Sequence, residues 1–268
     1  MNDAKPVIQI YEVQQPDEAE QMVALGVDHV GSVVLDPERW KVASLKDTVR
    51  VVGQAGAKSS MIPLFSDADI ISRMLDFYQP AMVHFCEHLP LDKKDRKALS
   101  GVFAVQRQVK QRFPEIAVMR TLPVGLPGKA DPDGLLALLP EIEPLCDWFL
   151  TDTIPALEDA APVPGFVGIT GKPADWSAVA KLVASTRVPV ILAGGMSPEN
   201  VYEGLVQTRP AGVDSCTQTN LRDGAGNPVR FKKDVDRVRR FIEEIRRAGC
   251  RIDRGDATTG GGHKTRAF

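Results

Sequence analysis

The sequence lacks what a membrane protein needs. No apolar run in its 268 residues approaches the roughly 20 required to span a bilayer, and the opening Met1-Asn2-Asp3-Ala4-Lys5 is too polar for a signal peptide. It also lacks an excess of charge. Its 33 Lys and Arg stand against 35 Asp and Glu, a formal net charge of -2, which gives no electrostatic ground for nucleic acid or an anionic membrane as partner. Cysteine is sparse: Cys86, Cys146, Cys216 and Cys250 lie far apart without a CxxC pair, so neither a disulfide framework nor a zinc knuckle is indicated and reduced thiols are expected. These absences point to a cytoplasmic protein with a small-molecule partner; no cofactor is expected, and the oligomeric state, monomer or homodimer, stays open.

What the sequence does have is a rhythm. Short apolar runs recur at Val7–Tyr11, His29–Val34, Ser59–Phe65, Met82–Glu87, Ile116–Leu122, Trp148–Thr153, Pro189–Gly194 and Val213–Thr217, with helical patterns between them. Pro16 to Gly26 starts with a turn residue, keeps apolar positions near helical spacing and stops at glycine, and Asp67 to Leu75 and Trp176 to Val183 behave alike. Eight strands alternating with helices in a chain of this length predict a (β/α)8 barrel, an α/β TIM barrel. A doubly wound open sheet is the alternative, because strand number alone does not show closure. A last helix is expected from Phe231 to Ala248, with Phe231, Val235, Val238, Ile242 and Ile245 on its buried face and Lys and Arg on a solvated one. The barrel then occupies residues 1–249, and residues 250–268, polar and carrying Gly260-Gly261-Gly262, form a disordered tail.

The most informative stretch runs from Val190 to Val201, Val-Ile-Leu-Ala-Gly-Gly-Met-Ser-Pro-Glu-Asn-Val. A run too short for a helix ends in Gly194 and Gly195, whose bare backbone can approach a ligand closely. Ser197 as N-cap, Pro198 at the first helical position and Glu199 in the first turn then predict a helix start, and amides beside a helix N-terminus attract an anion. Read alone, the same residues also suit a tight turn with no ligand. Strand eight, ending Asp214-Ser215-Cys216-Thr217, supplies a second half of the same site, since barrels of this kind hold phosphate with the loops after strands seven and eight. Pro123 to Gly134, after strand five, reads as a mobile lid over the site or as a plain surface insertion.

Four segments carry a family resemblance. Phe149-Leu150-Thr151-Asp152, Gly168-Ile169-Thr170-Gly171 with the following Asp175-Trp176, Leu192 to Val201, and Gly212-Val213-Asp214-Ser215 resemble the phosphoribosylanthranilate isomerases, the barrel enzymes of tryptophan biosynthesis that perform an Amadori rearrangement on a phosphoribosyl amine. Gly26 to Gly31 and Pro37-Glu38-Arg39 resemble it more loosely. The resemblance implies a phosphate site at Gly171, Gly194, Gly195, Ser215, Cys216 and Thr217, and places Arg39 where the family has an arginine on the anthranilate carboxylate.

An Amadori reaction needs an acid at the ribose ring oxygen and a base at C2. Resemblance assigns the acid to Asp152, which must be buried or flanked by negative charge to hold its proton. The family's first strand ends Lys-Ile-Cys-Gly with the cysteine as base, whereas this chain has Gln9-Ile10-Tyr11-Glu12, and a tyrosine with an intrinsic pKa of about 10 is a poor base. Strand four reads His84-Phe85-Cys86-Glu87, and alternation puts His84 and Cys86 on one side. Either could take over the base function, although a buried thiol and a hydrogen-bonded core histidine is the favoured reading. Glu12, His84, Glu87 and Asp152 share a rim but show no diagnostic ligand spacing, so no metal is expected. The reading is an isomerase of a phosphorylated sugar, with a non-catalytic phospholigand-binding paralogue or a divergent sugar-phosphate epimerase as alternatives.

Overall fold

The computed structural model describes residues 5–90, 96–154 and 163–253. Eight parallel strands, β1 (Val7–Ile10), β2 (His29–Val34), β3 (Lys58–Pro63), β4 (Met82–Phe85), β5 (Ala117–Val124), β6 (Trp148–Thr153), β7 (Val190–Leu192) and β8 (Gly212–Ser215), pair in chain order. β8 pairs back onto β1, from Val7 opposite Gly212 to Ile10 opposite Ser215, which closes the barrel and rules out the open sheet. Outside it run α1 (Pro16–Leu25), α2 (Ala43–Gln54), α3 (Ala68–Tyr78), α4 (Arg96–Arg112), α5 (Asp133–Ile142), α6 (Trp176–Ser185), α7 (Val201–Thr208) and α8 (Val235–Asp253).

Local chemistry explains the helix limits. Pro16 opens α1 and Gly26 ends it in the left-handed region at φ 98°. Asp67 caps α3 by accepting from the Ile70 amide at 2.8 Å, and Asp175 caps α6 by accepting from Ser177 and Ala178. Helices and strands bury two apolar clusters between them, to the larger of which α8 contributes Val238, Phe241, Ile242 and Ile245. Each such side chain contributes roughly 1.5–3 kcal/mol relative to exposure. Inside the barrel a separate plug of Met82, Met119, Leu150, Ile191 and Ala193 supports the floor of the site, with Tyr11 packed on it.

Several expected boundaries shift. The runs through Tyr11, Cys86-Glu87, Ala193-Gly194 and Cys216-Thr217 outlast the strand ladders: these residues leave β1, β4, β7 and β8 and turn across the mouth of the barrel. β5 instead runs longer, taking in Pro123 and Val124. The remainder of the supposed lid is tied down, because Asp175 Oδ2 accepts from the Gly128 amide at 2.7 Å and the Asp175 amide donates to the Gly125 carbonyl at 3.0 Å. The final helix starts later than expected. Phe231 belongs to a hairpin of β9 (Asn220–Arg222) and β10 (Pro228–Lys233), whose turn is built on Asp223 accepting from the Ala225 and Asn227 amides. α8 continues to Asp253, past the expected domain end at 249, and residues 254–268 lie outside the described residues. No helix among the described residues is long and apolar enough to cross a membrane.

Candidate active site

The C-terminal ends of the strands surround two cavities that share a wall. The deeper one meets Tyr11 and Glu12 after β1, His84 and Cys86 of β4 and its end, Thr121 of β5, and Asp152 of β6. The second is lined by Gly171, Gly194, Gly195, Met196, Thr217 and Gln218. Asp152, Ile169, Asp214 and Cys216 border both.

The second cavity is largely backbone. Gly171, Gly194 and Gly195 all take the left-handed region, at φ 63°, 88° and 60°. Side chains there would collide as well as strain: a Cβ on Gly194 would lie 2.3 Å from Thr153 Oγ1, and one on Gly195 would lie 2.5 Å from the Lys172 carbonyl carbon. Thr153 Oγ1 donates to the Lys172 carbonyl at 2.8 Å and Gln218 Nε2 to the Gly171 carbonyl at 2.9 Å, so the loops after β6, β7 and β8 are laced together around a polar hollow. Such a nest of glycine backbone suits a phosphate. Ser197 caps the turn as expected, its Oγ accepting from the Glu199 amide at 3.2 Å and its carbonyl from the Val201 amide at 3.0 Å, although regular α7 begins only at Val201. One detail differs from expectation. Ser215 is not on the cavity wall, because its hydroxyl is buried and donates to the Met196 carbonyl at 2.7 Å, fastening β8 to the glycine turn.

The deeper cavity is built on a chain of hydrogen bonds. Tyr11 Oη lies 2.5 Å from Ser60 Oγ and 2.8 Å from His84 Nδ1, and His84 Nε2 lies 2.7 Å from Thr121 Oγ1. Burial raises the Tyr11 phenol well above its ordinary value, so it does not ionise near neutrality. Burial, with the Arg120 guanidinium nearby, lowers His84 to about 3, and both its ring nitrogens are engaged. The Cys86 thiol is likewise pushed far up by burial and by the Glu87 carboxylate. None of the three therefore has the physical character of a base at neutral pH. Tyr11 has room only because Gly31 faces it; a Cβ there would lie 2.1 Å from the ring.

The two rim glutamates are spent on guanidinium groups. Glu12, buried and held at φ 64°, pairs with Arg230 of β10 and accepts from Asn220 Nδ2 at 3.3 Å. Glu87 Oε2 takes the fully buried Arg120 at 2.7 Å, and the same guanidinium donates to the Glu87 carbonyl at 2.9 Å. Among the described residues no group of three or more His, Cys, Asp or Glu is arranged to hold a metal ion. Arg39 stands apart from both cavities, its side chain 88% exposed and bonded to Asp36 at 3.0 Å.

Asp152 is different. One carboxylate oxygen accepts from the Thr153 amide at 2.7 Å, and the other faces Gly168, where any side chain would strike it at 2.3 Å. Burial raises Asp152 to about 6. Beside it, Asp214 is raised to about 8 by burial and by the charge of Asp152, against the pull of Gln9 and Lys233. Asp214 escaped the sequence reading as a site residue although it was quoted in the strand-eight motif. Its signal is a buried-strand acidic residue two positions before Cys216, which alternation puts on the same side as Cys216.

The comparisons with known proteins converge. A sequence model described as N-(5'phosphoribosyl)anthranilate (PRA) isomerase matches residues 149–225. The N-(5'-phosphoribosyl)anthranilate isomerase of Methanocella arvoryzae is 33% identical over 140 residues, 52% of this chain and 55% of that protein. N-(5'-phosphoribosyl)anthranilate isomerase 1 of Methanosarcina mazei is 30% identical over 228 residues, 80% of this chain and 92% of that protein. The crystal structure of the phosphoribosyl anthranilate isomerase of Thermotoga maritima superposes with a TM-score of 0.64 at 21% identity, covering 90% of this chain and 98% of that one, a likeness of fold. With a glycine-built cradle after β6 to β8 and a full-length relative of this similarity, the chain belongs to the phosphoribosylanthranilate isomerase family.

Proposed function

We propose that this protein isomerises N-(5'-phosphoribosyl)anthranilate, or a closely similar phosphoribosyl amine, to the open-chain 1-amino-1-deoxyketose, in the cytoplasm and without a cofactor. The observation that carries this reading is that Asp152, a buried carboxyl raised to about 6, stands on the wall between the glycine cradle and the deeper cavity. With the phosphate seated at Gly171, Gly194, Gly195, Cys216 and Thr217, the ribose is directed past Asp152 and the amine substituent into the deeper cavity. Raised to about 6, Asp152 holds a proton in part of the population near neutrality and can give it to the furanose oxygen.

Tyr11, His84 and Thr121 serve shape rather than proton transfer. The Tyr11–His84–Thr121 relay fixes the floor, and the Glu12–Arg230 pair closes one side. Ile169 holds a left-handed backbone at φ 61°, a cost of order 1–3 kcal/mol for a β-branched residue, which persists where the surroundings demand its side chain on the dividing wall.

Turnover of N-(5'-phosphoribosyl)anthranilate by the purified protein tests the reading. Asp152→Asn is expected to lower kcat by about 10²–10⁴-fold with little change in KM. Binding of the substrate by the wild type without turnover contradicts it.

A further inference from the structure

The family's base is absent from β1, and none of Tyr11, His84 and Cys86 replaces it, so the isomerisation proposed above lacks its second proton-transfer group. We infer that Asp214 is that group, and that Asp152 and Asp214 work as a pair holding a single proton. The inference rests on the isomerase reading and supplies the residue which that reading leaves open.

Geometry carries it. Asp214 sits opposite Gln9 in the β1–β8 register, one strand from Asp152's other neighbour β7, and it borders both cavities together with Asp152. Its side chain is buried, yet Oδ1 has no hydrogen-bond partner, an arrangement that leaves a lone pair or a proton available to whatever fills the cavity. The titratable groups packed around it do not compete for the role. Tyr11 from β1 and Cys216 from β8 are kept neutral by burial, as is Cys86 beside Asp152. Lys233 from β10 supplies positive charge, and its ammonium is committed to the Cys216 carbonyl at 2.9 Å and to Asn220 Oδ1. The second carboxylate nearby, Glu12, is paired with Arg230. Two carboxyls in mutual contact with one buried space cannot both ionise easily, and values near 6 and near 8 leave one proton on the pair across neutrality.

One proton is what the reaction needs. The proton rests mainly on Asp214, the higher of the two, and shifts to Asp152, which gives it to the furanose oxygen as the C1–O bond breaks, the bond pair going to oxygen while the amine lone pair closes the C1=N iminium. The ionised carboxyl then takes the C2 proton; the C–H pair forms C1=C2 and the iminium π pair returns to nitrogen. The resulting enolamine tautomerises to the ketose. The pair starts and ends with one proton, on Asp214, so the resting state is restored with no thiolate involved.

The test uses the full-length protein and N-(5'-phosphoribosyl)anthranilate. Wild-type kcat is expected to follow a bell with limbs near pH 6 and pH 8, and Asp214→Asn is expected to lower kcat at least a hundredfold, with KM changed less than threefold and the bell reduced to one limb. Wild-type turnover with Asp214→Asn within tenfold of it overturns the assignment and leaves the isomerase reading standing. A wild-type profile flat from pH 5 to 9 also overturns the assignment, whether or not the variant folds. Absence of wild-type turnover overturns the isomerase reading itself, and the assignment with it.

Discussion

The two ends of the substrate site have different characters. The phosphate end, after β6, β7 and β8, keeps the family's wording and is made of backbone, with three left-handed glycines crossed by hydrogen bonds from Thr153 and Gln218. The end near β1 to β4 is made of side chains and has been rewritten, with Tyr11 and Glu12 where the family has Cys and Gly. The difference follows from what each end must do. A phosphate is held by amides whose positions only glycine conformations allow, so substitutions there collide with backbone. Proton transfer needs only a carboxyl of suitable pKa within reach, and a barrel offers eight strand ends from which to present one.

Breaking the phosphate end has the largest expected effect on binding. Gly195→Ala puts a Cβ within 2.5 Å of the Lys172 carbonyl carbon at a left-handed φ. Strain of about 1–3 kcal/mol corresponds to roughly a five- to 150-fold loss of affinity for a phosphate ester, measurable by calorimetry. At the other end the expected effect falls on stability instead of binding. Gly31→Ala forces a methyl into the Tyr11 ring and should destabilise by about 1–3 kcal/mol in urea unfolding, a loss relieved when Tyr11→Cys is added.

The buried carboxyl pair gives a third test, in which sign matters. Asp152 and Asp214 have folded values near 6 and 8, above the range near 4 of an unfolded aspartate. Between pH 4 and 8 the unfolded chain has therefore released protons that the folded chain retains, so this pair lowers stability as pH rises through that window. Asp214→Asn should flatten the decline and raise Tm at pH 8 by a few degrees, at about 2–4 °C per kcal/mol. Cys86→Ser is the smallest perturbation, with turnover expected within about threefold of wild type because the neutral thiol takes no part in proton transfer.

Much of this contrast was legible in the sequence, for physical reasons that also mark where it stopped. The eight strands announced themselves as apolar runs because parallel strands are covered on both faces. The glycine cradle was legible because its function resides in residue type. The hairpin of β9 and β10 was hidden, since Arg222, Arg230 and Lys232 give it the composition of a surface, and Phe231 therefore read as the start of α8. The loss of the family's base at Tyr11 was visible; its replacement was not. Seeing that Tyr11 bonds Ser60 and His84, that Arg120 is fully buried on Glu87, and that Asp214 and Asp152 line the same two cavities requires knowing which strands are neighbours across the barrel.

The claim that chemistry has left β1 while the phosphate end stayed is tested most directly by kcat of Tyr11→Phe on N-(5'-phosphoribosyl)anthranilate beside the wild type. The account predicts turnover by both, with the variant within about threefold, since the phenol hydroxyl only braces Ser60 and His84. A hundredfold or greater fall in kcat for a variant that still folds and binds phosphate would contradict it and return the base to the first strand.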